Sequence, residues 1–580
     1  MLIVALSKVT KSLLLAGLGL IAAPAMGGST CARWDNPFGG ATTLNGAVYA
    51  MTTWDPDGPG PIGEHLIVGG TFTQAGGVTV NRVARWDGDA WHALGGGVAG
   101  GSFPAVTALT TWDPDGDGPL HEHLIVAGGF ITAGGVTVNR IARWDGAVWH
   151  SLDTGMNAEV LSLATWDPDG DGPMPKELVA GGNFVMAGAT SAVRIARWDG
   201  TLWRRMSNGM NATVQAILTW DPDGPGPLNA MPVATGLFTT AGNSSAQRIA
   251  QWDGNGWQPL GGGVDAWAFA LTVWDPDGDG PALPQVVVGG SFTTAGGVAA
   301  ERIARWDGTS WEPLGSGMSG GVVPDVYALL EWDPDGDGPQ PPALLAGGVF
   351  TIAGGQTVNC IARWDGAAWS ALGAGVSAGP FVDVLSLALW DADADGPQHA
   401  QLVAGGEFLM AGEVEAGNIA IWSSLLPEFT QQPSNASAAV GANVSLTAGA
   451  DNGPLILQWR KGGFVLTDGP TGSGSTISGA TTTQLTITGV RSSDAGQYTL
   501  QATNACGSAT SEPATLSVGS APPCAGDTNG DNLVNGADLS VLLGQFGTTV
   551  TPGAGADFNA DGVVNGADLS VLLGRFGLAC

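Results

Sequence analysis

The sequence has few charged residues, and few of these are basic. Charged residues make up 12% of the 580 positions, about half of the roughly 25% that is typical of globular proteins. The 52 acidic residues outnumber the 20 basic ones, which gives a formal net charge of −32. This charge repels phosphate backbones and anionic lipids, so we expect neither nucleic-acid binding nor binding to membrane surfaces. Cations are the partners that the charge favours.

Long apolar runs and cysteines are also scarce. The apolar run over 13–23 is shorter than the roughly 18 residues that a membrane-spanning helix needs, and no later run reaches that length, so no transmembrane segment is predicted. Lys8 and Lys11 precede the run and Ala23-Pro24-Ala25 follows it, which is typical of a bacterial export signal, here residues 1–25. We therefore expect a secreted or cell-surface protein. Its five cysteines allow at most two disulfides within the chain.

Sustained helical periodicity is missing up to residue 422, and a repeat takes its place. Each unit contains short, partly alternating segments bounded by Gly, Asp and Pro, which predict four β-strands. Seven units of four strands predict a seven-bladed β-propeller over residues 31–425, with tryptophans filling the space between blades. A Trp-Asp pair followed by an Asp/Gly/Pro loop marks each unit, at spacings of 54 or 58 residues: Trp54, Trp112, Trp166, Trp220, Trp274, Trp332 and Trp390.

The repeat resembles that of kelch-type propellers. In each unit an apolar strand ends in a Gly-rich turn, and two aromatic residues, such as Trp306 and Trp311, follow a few positions apart. Residues 31–35 read as a copy of the third strand, and the array ends near Trp422 without a fourth strand. We therefore expect the segment from Phe38 to Leu44 to complete the seventh blade, so that both ends of the array share one sheet.

Residues 428–519 resemble an immunoglobulin-like domain of the I-set kind. Trp459 lies in a segment similar to strand C, and the run from Asp494 to Tyr498 is similar to the corner that precedes strand F. Ala448 and Leu500 occupy the positions where such domains carry their inter-sheet disulfide, so an apolar pair is expected to fill that space.

After a predicted linker over 520–523, residues 524–580 contain one twelve-residue pattern twice. Each copy places oxygen-bearing side chains at positions 1, 3, 5, 9 and 12 and a backbone carbonyl at position 7, as a calcium-binding loop does. A helix-like segment follows each copy. The predicted Ca²⁺ ligands are Asp527, Asn529, Asp531, Leu533, Asn535 and Asp538 in the first loop, and Asp557, Asn559, Asp561, Val563, Asn565 and Asp568 in the second.

Two such loop–helix halves resemble a dockerin domain. The resemblance implies calcium binding and docking to a cohesin-like or other surface-anchoring protein. Cohesin-binding dockerins carry a Ser-Thr-like pair at positions 10 and 11, where this chain has Gly536-Ala537 and Gly566-Ala567. The close termini of the dockerin fold suggest a disulfide between Cys524 and Cys580. The expected fold class is thus mainly β: a propeller, an immunoglobulin-like sandwich and a small α-helical calcium-binding module.

No set of residues that breaks the repeat forms a recognisable catalytic constellation. The acidic residues and arginines of the ring recur blade after blade, and the ring contains only two tyrosines. We therefore expect a non-catalytic binding or scaffold protein, whose propeller presents a carbohydrate or protein ligand site on the loops 100–104, 320–324 and 379–381. The alternative is a carbohydrate-active enzyme that its dockerin targets. The Asp-rich loops after each Trp-Asp pair are either solvated turns or weak calcium sites.

Overall fold

The computed structural model describes most of the chain between residues 32 and 578. The described ranges are 32–39, 43–58, 63–116, 121–170, 172, 174–224, 226, 228–278, 280–334, 341–379, 381–391, 400–424, 427–452, 455–504, 506–519, 525–529 and 533–578. The predicted signal peptide, the predicted linker, Asp531, Cys524 and Cys580 lie outside them. Among the described residues, no helix is both long and apolar enough to cross a membrane. Contacts divide the chain into one unit up to residue 424 and a second unit that contains residues 425–580.

The first unit consists of seven four-stranded antiparallel sheets, as the repeat predicts. The inner strands are Val48–Trp54, Val106–Trp112, Val160–Trp166, Val214–Trp220, Ala268–Trp274, Val326–Trp332 and Asp383–Trp390. The second strands are His65–Gly70, His123–Gly128, Glu177–Gly182, Met231–Gly236, Gln285–Gly290, Ala343–Gly348 and Gln401–Glu407. The third strands are Val83–Trp86, Ile141–Trp144, Ile195–Trp198, Ile249–Trp252, Ile303–Trp306, Ile361–Trp364 and Ile419–Ser424. The outer strands are Trp91–Ala93, Trp149–Ser151, Trp203–Arg205, Trp257–Pro259, Trp311–Pro313, Trp369–Ala371 and, in the seventh sheet, Ala32–Asp35.

These sheets are the blades of a closed propeller, numbered here in the order of their inner strands. Each inner strand contacts the inner strand of the next blade, and the inner strand of blade 7 contacts that of blade 1. The Gly-Gly doublets at the ends of second strands permit this approach. A Cβ on Gly69 would overlap the Val106 side chain of blade 2, and a Cβ on Gly405 would overlap the Val48 side chain of blade 1.

Tryptophans join neighbouring blades, as the sequence predicts. The indole N–H of each outer-strand tryptophan donates to a backbone carbonyl of the preceding blade over 2.9–3.3 Å. Six of the seven tryptophans that end inner strands donate in the other direction, to a carbonyl of the following blade; among the described residues the indole N–H of Trp332 has no such acceptor. In this way Trp54 bonds to Glu122 O over 2.8 Å, and Trp390 of blade 7 bonds to Glu64 O of blade 1 over 3.2 Å. The hydrogen bonds satisfy the only polar atom of each of these large, buried side chains.

The ring closes in a sheet shared by both ends of the array, but through a different segment from the one predicted. Residues Ala32–Asp35 pair with Ile419–Ser424 as the outer strand of blade 7. The motif Ala-Arg-Trp-Asp suggested a copy of the third strand, whereas Trp34 occupies the place of an outer-strand tryptophan and donates to Leu372 O over 3.1 Å. Phe38 follows this strand and accepts the indole N–H of Trp91 at its backbone carbonyl.

A short hairpin between the second and third strands of each blade was not predicted from the sequence. In every blade this hairpin pairs with the linker that enters the blade. Two-residue strands are too short to carry a periodic signal, which explains why sequence periodicity misses them. The hairpin strands are Gln74–Ala75 with Val78–Thr79, Thr132–Ala133 with Val136–Thr137, Met186–Ala187 with Thr190–Ser191, Thr240–Ala241 with Ser244–Ser245, Thr294–Ala295 with Val298–Ala299, Ile352–Ala353 with Gln356–Thr357, and Met410–Ala411 with Val414–Glu415; the paired linker strands are Val98–Ala99, Met318–Ser319 and Val376–Ser377.

The immunoglobulin-like region is a β-sandwich. One sheet contains Ala436–Ala439, Ala514–Gly519, Gly496–Asn504, Ile456–Lys461 and Phe464–Val465, with Gly507–Thr510 on Gly496–Asn504. The other contains Val444–Thr447, Gln484–Thr488, Thr476–Ser478 and Gly469–Pro470, and Glu428–Gln431 pairs separately with Gly449–Asp451.

The core of the sandwich matches the sequence prediction. Trp459 is fully buried, and its indole N–H donates to Thr482 O over 2.8 Å. The Tyr498 hydroxyl donates to Asp494 O over 2.7 Å, just after the 3₁₀ turn Ser492–Asp494. Ala448 and Leu500 lie buried in the same core cluster, so the expected apolar pair replaces the usual disulfide.

The C-terminal module contains two short helices, α1 (Gly536–Gln545) and α2 (Gly566–Gly574), which contact each other. Its core is small. The fully buried apolar residues are Val534, Leu542, Ala556, Val564 and Leu572. A module with so few buried side chains has little hydrophobic stabilisation of its own, so other interactions must contribute to its order.

Candidate metal centre

The second predicted loop brings three carboxylates together. Asp557, Asp561 and Asp568 each offer an oxygen, and these oxygens lie within 4.8 Å of one another. Among the described residues, this is the group of three or more His, Cys, Asp or Glu side chains with a spacing suited to a metal ion. Asp557 and Asp568 are buried and Asp561 is exposed, so the cluster is open to solvent on one side. Oxygen ligands from several carboxylates are the donor set that Ca²⁺ prefers.

Backbone N–H groups of the loop hold these carboxylates in place. Asp557 Oδ2 accepts from Gly562 N over 2.8 Å, and Asp568 Oδ1 accepts from Phe558 N over 2.7 Å. Asp561 Oδ1 accepts from Val563 N over 2.9 Å. This bond, with a contact to the Asn559 amide, lowers the pKa of Asp561 and keeps its carboxylate ionised. Position 6 is Gly562 with φ +86°, a conformation that favours glycine at the turn of the loop.

Asn559 and Asn565 complete the polar shell of the second loop. The Asn559 side-chain amide donates to Asp561 Oδ2 over 2.9 Å. The Asn565 side-chain amide donates to Val563 O over 3.1 Å, which ties predicted position 9 to predicted position 7. All six predicted residues of this loop therefore lie in one connected hydrogen-bond network.

The first loop follows the same plan where the structure describes it. Asp538 is fully buried, and its Oδ1 accepts from Thr528 N over 2.8 Å and from Asn529 N over 3.2 Å. Burial alone would raise the pKa of Asp538, but bonds from the N–H groups of Asn535, Asn529 and Thr528 lower it overall. Asp527 and Leu533 are also described, whereas predicted ligand Asp531 lies outside the described residues.

Each loop runs directly into its helix through a capping box. The Asn535 side chain accepts from Ala537 N, and the Asp538 side chain accepts from the backbone N–H of Asn535 over 2.9 Å. Asn565 and Asp568 make the same pair of bonds at α2. Positions 9 and 12 of each loop therefore also start the helix, so ordering of the loop and formation of the first helical turn are linked.

The two halves exchange backbone hydrogen bonds. Val534 of the first loop donates to Leu578 O and accepts from Gly577 N, both beyond α2. Val564 of the second loop donates to Thr548 O and accepts from Gly547 N, both beyond α1. Each loop is thus held by the segment that follows the other helix. The sequence did not predict this arrangement, because the similarity of the two halves does not show which segments of one half pair with the other.

Exposed apolar side chains recur in matching places on the two helices, which the sequence analysis also missed. Leu543 and Phe546 on the first half correspond to Leu573 and Phe576 on the second, and all four are about half exposed. Gly536 and Gly566 lie seven residues before Leu543 and Leu573, on the same helical faces, and Ala537 and Ala567 beside them are also exposed, so charged side chains are missing from these positions. The signal was present in the sequence as the duplicated Leu-Leu-Gly-x-Phe segment.

The structure describes two of the five cysteines, Cys360 and Cys506. Cys506 is disulfide-bonded, although the immunoglobulin-like region contains no second cysteine. Cys360 is a buried free thiol in the propeller. The predicted pair Cys524 and Cys580 lies outside the described residues.

The Asp-rich loops of the propeller form tight turns where they are described. Asp113 Oδ1 accepts from Asp115 N and Gly116 N, each over 3.1 Å, and Asp55 accepts from Asp57 N in the same way. Such turns are typical of Asp followed by Gly and need no ion. Parts of several of these loops lie outside the described residues, and the alternative of weak calcium sites stays a prediction.

Three family models match separate parts of the chain. They are the immunoglobulin I-set domain over residues 427–518, the dockerin type I domain over residues 525–576, and a domain of unknown function (DUF5122) beta-propeller over residues 65–89. No curated protein matches the chain. The resemblance of the repeat to kelch propellers stays a prediction.

Solved structures with a similar part include immunoglobulin domains. A titin M10–obscurin-like 1 Ig complex is 27% identical, with 17% of this chain and 97% of that chain covered and a TM-score of 0.15. The twitchin kinase region from C. elegans is 20% identical, and this chain spans 16% of it, with 16% of this chain covered and a TM-score of 0.14. Domain D1 of Duf (Kirre) is 24% identical, with 17% and 99% covered and a TM-score of 0.15. The family models show that the chain combines a β-propeller segment, an I-set domain and a dockerin type I domain.

Proposed function

We propose that the chain is an exported, non-catalytic modular protein that docks onto a cohesin-like or other surface-anchoring partner through its calcium-ordered C-terminal module. The carboxylate cluster of Asp557, Asp561 and Asp568 carries the proposal. The propeller is then the part displayed at the cell surface or in the extracellular space, where it binds a ligand. The dockerin type I match supports the docking role and the extracellular location.

The residues present fit a calcium ion in each loop. A bound Ca²⁺ would neutralise the mutual repulsion of the carboxylates and cross-link the two ends of a loop. Asp557 and Asp561 would hold the ion from the start of the second loop, Val563 through its carbonyl, and Asp568 from the first turn of α2. Asp527, Asn529, Asp531, Leu533, Asn535 and Asp538 have the corresponding roles in the first loop.

The duplicated apolar surface supports docking. Leu543 and Phe546, and their counterparts Leu573 and Phe576, are exposed although each has enough apolar area to favour burial. An uncharged helical face with a large side chain at its end fits a flat, largely apolar surface of a partner. Because the two halves are alike, either half has the chemistry to make the contact.

A non-catalytic role is supported by the regularity of the ring. Aspartates of the turns between third and outer strands make the same backbone hydrogen bonds in blade after blade, as at Asp145, Asp253 and Asp365. A group that recurs in the same bonding role stabilises turns, whereas a reaction centre needs a unique constellation.

Titration calorimetry of the full chain tests the metal sites. We expect that Asp561→Asn removes one calcium from the stoichiometry, because it takes one charge from the second loop and leaves the capping box of α2 intact. Asp89→Asn, an exposed aspartate in a propeller turn, is the matched control and should leave the stoichiometry unchanged. An unchanged stoichiometry in Asp561→Asn would contradict the metal assignment.

Docking is tested by surface plasmon resonance of the full chain against a set of purified cohesin domains, with calcium or with excess EDTA. We expect binding only with calcium. We also expect that Leu543→Asp/Leu573→Asp abolishes binding without altering calcium stoichiometry, whereas each single variant retains binding through the other half. Calcium-independent binding, or full binding by the double variant, would refute the proposed docking surface.

A further inference from the structure

The loops that follow the inner strands of blades 3, 4 and 5 overlap from one blade to the next. A Cβ on Gly170 of blade 3 would lie 2.6 Å from the side-chain oxygen of Asn229 in blade 4. A Cβ on Gly224 of blade 4 would lie 3.8 Å from the Leu283 side chain of blade 5. The described residues of loops 167–176, 221–230 and 275–284 therefore form one continuous surface, here called the loop rim. It lies at the opposite end of the inner strands from the linkers that enter the blades.

Large apolar side chains are exposed along the loop rim. Met174, Leu228 and Leu283 are each about half exposed, between 45% and 56%. The Met174 N–H donates to Asp169 Oδ2 over 3.2 Å, and the Leu228 N–H donates to Asp223 Oδ2 over 3.3 Å. Leu283 lies against the turn that follows Asp223, so Leu228 and Leu283 flank the same turn. The three side chains are thus neighbours on one surface, unlike isolated exposed residues, which need no explanation.

Negative charge crowds the same surface. The three loops contain eight aspartates and one basic residue, Lys176. Burial raises the pKa of Asp221, and the neighbouring Asp223 carboxyl raises it further. Burial and the Asp277 carboxyl raise the pKa of Asp275 in the same way. A positive charge brought to the loop rim would therefore relieve repulsion between its carboxylates.

Turn formation explains the aspartates of the loop rim but does not explain the apolar side chains beside them. Asp221 Oδ1 accepts from Asp223 N, and Asp275 Oδ1 accepts from Asp277 N, each over 3.2 Å. These bonds need only the carboxylates and the backbone, whereas half-exposed Met and Leu side chains leave apolar area in water. Apolar side chains with acidic groups between them match a partner that is both apolar and basic.

We propose that the loop rim of blades 3, 4 and 5 binds a basic segment of a partner protein that carries apolar side chains. The apolar side chains of the segment cover Met174, Leu228 and Leu283, and its lysine or arginine side chains approach the aspartates of the turns. The strongly acidic chain attracts such a segment over a distance and repels acidic ones. The proposal rests on the proposed binding role of the propeller and is independent of the docking module.

Fluorescence anisotropy with labelled peptides of equal length tests this surface on the full chain in calcium. The probes are a peptide of alternating leucine and lysine, a peptide of alternating serine and lysine, and a peptide of alternating leucine and glutamate. We expect the leucine–lysine peptide to bind, and to bind about tenfold or more tightly than the serine–lysine peptide, because only the former covers apolar area. We expect no binding of the leucine–glutamate peptide.

Variants of the full chain locate the binding. Met174→Ser/Leu228→Ser/Leu283→Ser should weaken binding of the leucine–lysine peptide about tenfold or more. Phe103→Ser/Val322→Ser is the matched control, because these side chains are 74% and 72% exposed in linkers at the other end of the inner strands, and it should leave the affinity unchanged.

The contribution of charge is tested by Asp221→Asn/Asp275→Asn. Asparagine keeps the side-chain oxygen that accepts the backbone N–H of each turn and removes the negative charge. We expect weaker binding of the leucine–lysine peptide and a smaller loss of affinity on adding salt than in the unaltered chain.

Four results would overturn the proposal. They are no binding of the leucine–lysine peptide, equal binding of the serine–lysine peptide, equal affinity in the triple serine variant, and a dimer in sedimentation velocity that the triple serine variant abolishes. The last result would assign the loop rim to a second copy of this chain. Calcium-dependent cohesin binding, measured on the same samples, distinguishes failure of this surface from failure of the docking proposal.

Discussion

Closure of the propeller by its N-terminal strand leads to a quantitative prediction for Trp34→Ala. Trp34 is 2% exposed, its ring packs against Trp422 with a centroid distance of 5.2 Å, and its indole N–H bonds to Leu372 O. Replacing a buried tryptophan by alanine costs about 3–5 kcal/mol. The propeller strands run from Ala32 to Ser424, about 390 residues, so the unfolding entropy of the propeller is about 0.8 kcal/mol per kelvin. A loss of about 4 kcal/mol then lowers Tm by about 5 °C.

The assay is differential scanning calorimetry of the unaltered chain and the variants at one scan rate. Trp203→Ala is the matched control, because Trp203 has the same place in the outer strand of blade 3 and donates to Leu152 O over 3.1 Å. We expect similar decreases for the two variants, since the terminal strand is bonded as an internal one is. A normal Tm for Trp34→Ala beside a lowered Tm for Trp203→Ala would show that Ala32–Asp35 does not close the ring.

Three further predictions concern pH, the small core and the tyrosine corner. Burial raises the pKa of Asp307, but hydrogen bonds from Ser310 N and Thr309 outweigh this effect and lower the pKa to about 2. The carboxylate of Asp307 therefore contributes its full stabilisation above about pH 5 and loses it as the pH falls towards 2. Melting curves followed by circular dichroism should show this loss, and Asp307→Asn should reduce it; a Tm that stays constant down to pH 2 would contradict this. Leu572→Ala should cost the C-terminal module about 2–5 kcal/mol and move its calorimetric transition while the propeller transition stays in place. Tyr498→Phe should lower the free energy of unfolding of the sandwich by about 1 kcal/mol in urea titrations, and no change would show that the bond to Asp494 O is not stabilising.

The sequence predicted those features that repeat or that follow a fixed spacing. Seven Trp-Asp units indicated seven blades, and the twelve-residue spacing identified the residues that converge at Asp557 and Asp568. The place of a strand within its blade was harder to predict. Ala32-Arg33-Trp34-Asp35 has the sequence of a third strand and the position of an outer strand, because both kinds of strand carry a tryptophan and only tertiary contacts distinguish them.

Features that depend on contacts between distant segments were beyond prediction. The register of the inner strand of blade 1 against its second strand shifts by one residue at Tyr49, and this bulge depends on strand pairing, of which a single strand shows no trace. The contact between the rings of Phe269 and Tyr327 likewise joins residues of neighbouring blades. In the C-terminal module, the exposure of Leu543 depends on which face of α1 meets α2, and a helix of ten residues with many apolar positions leaves that choice open.

The exchange of backbone hydrogen bonds at Val534 and Val564 couples the two predicted calcium loops. An ion that orders the first loop would also order the segment beyond α2, because Val534 is bonded to that segment. The second ion would then bind to a half of the module whose conformational entropy has already been reduced. Occupancy of one loop should therefore raise the affinity of the other, and titration should proceed with positive cooperativity. For the proposed docking module, such cooperativity would confine the response to a narrow interval of calcium concentration, so that export from the calcium-poor cell interior would by itself turn attachment on.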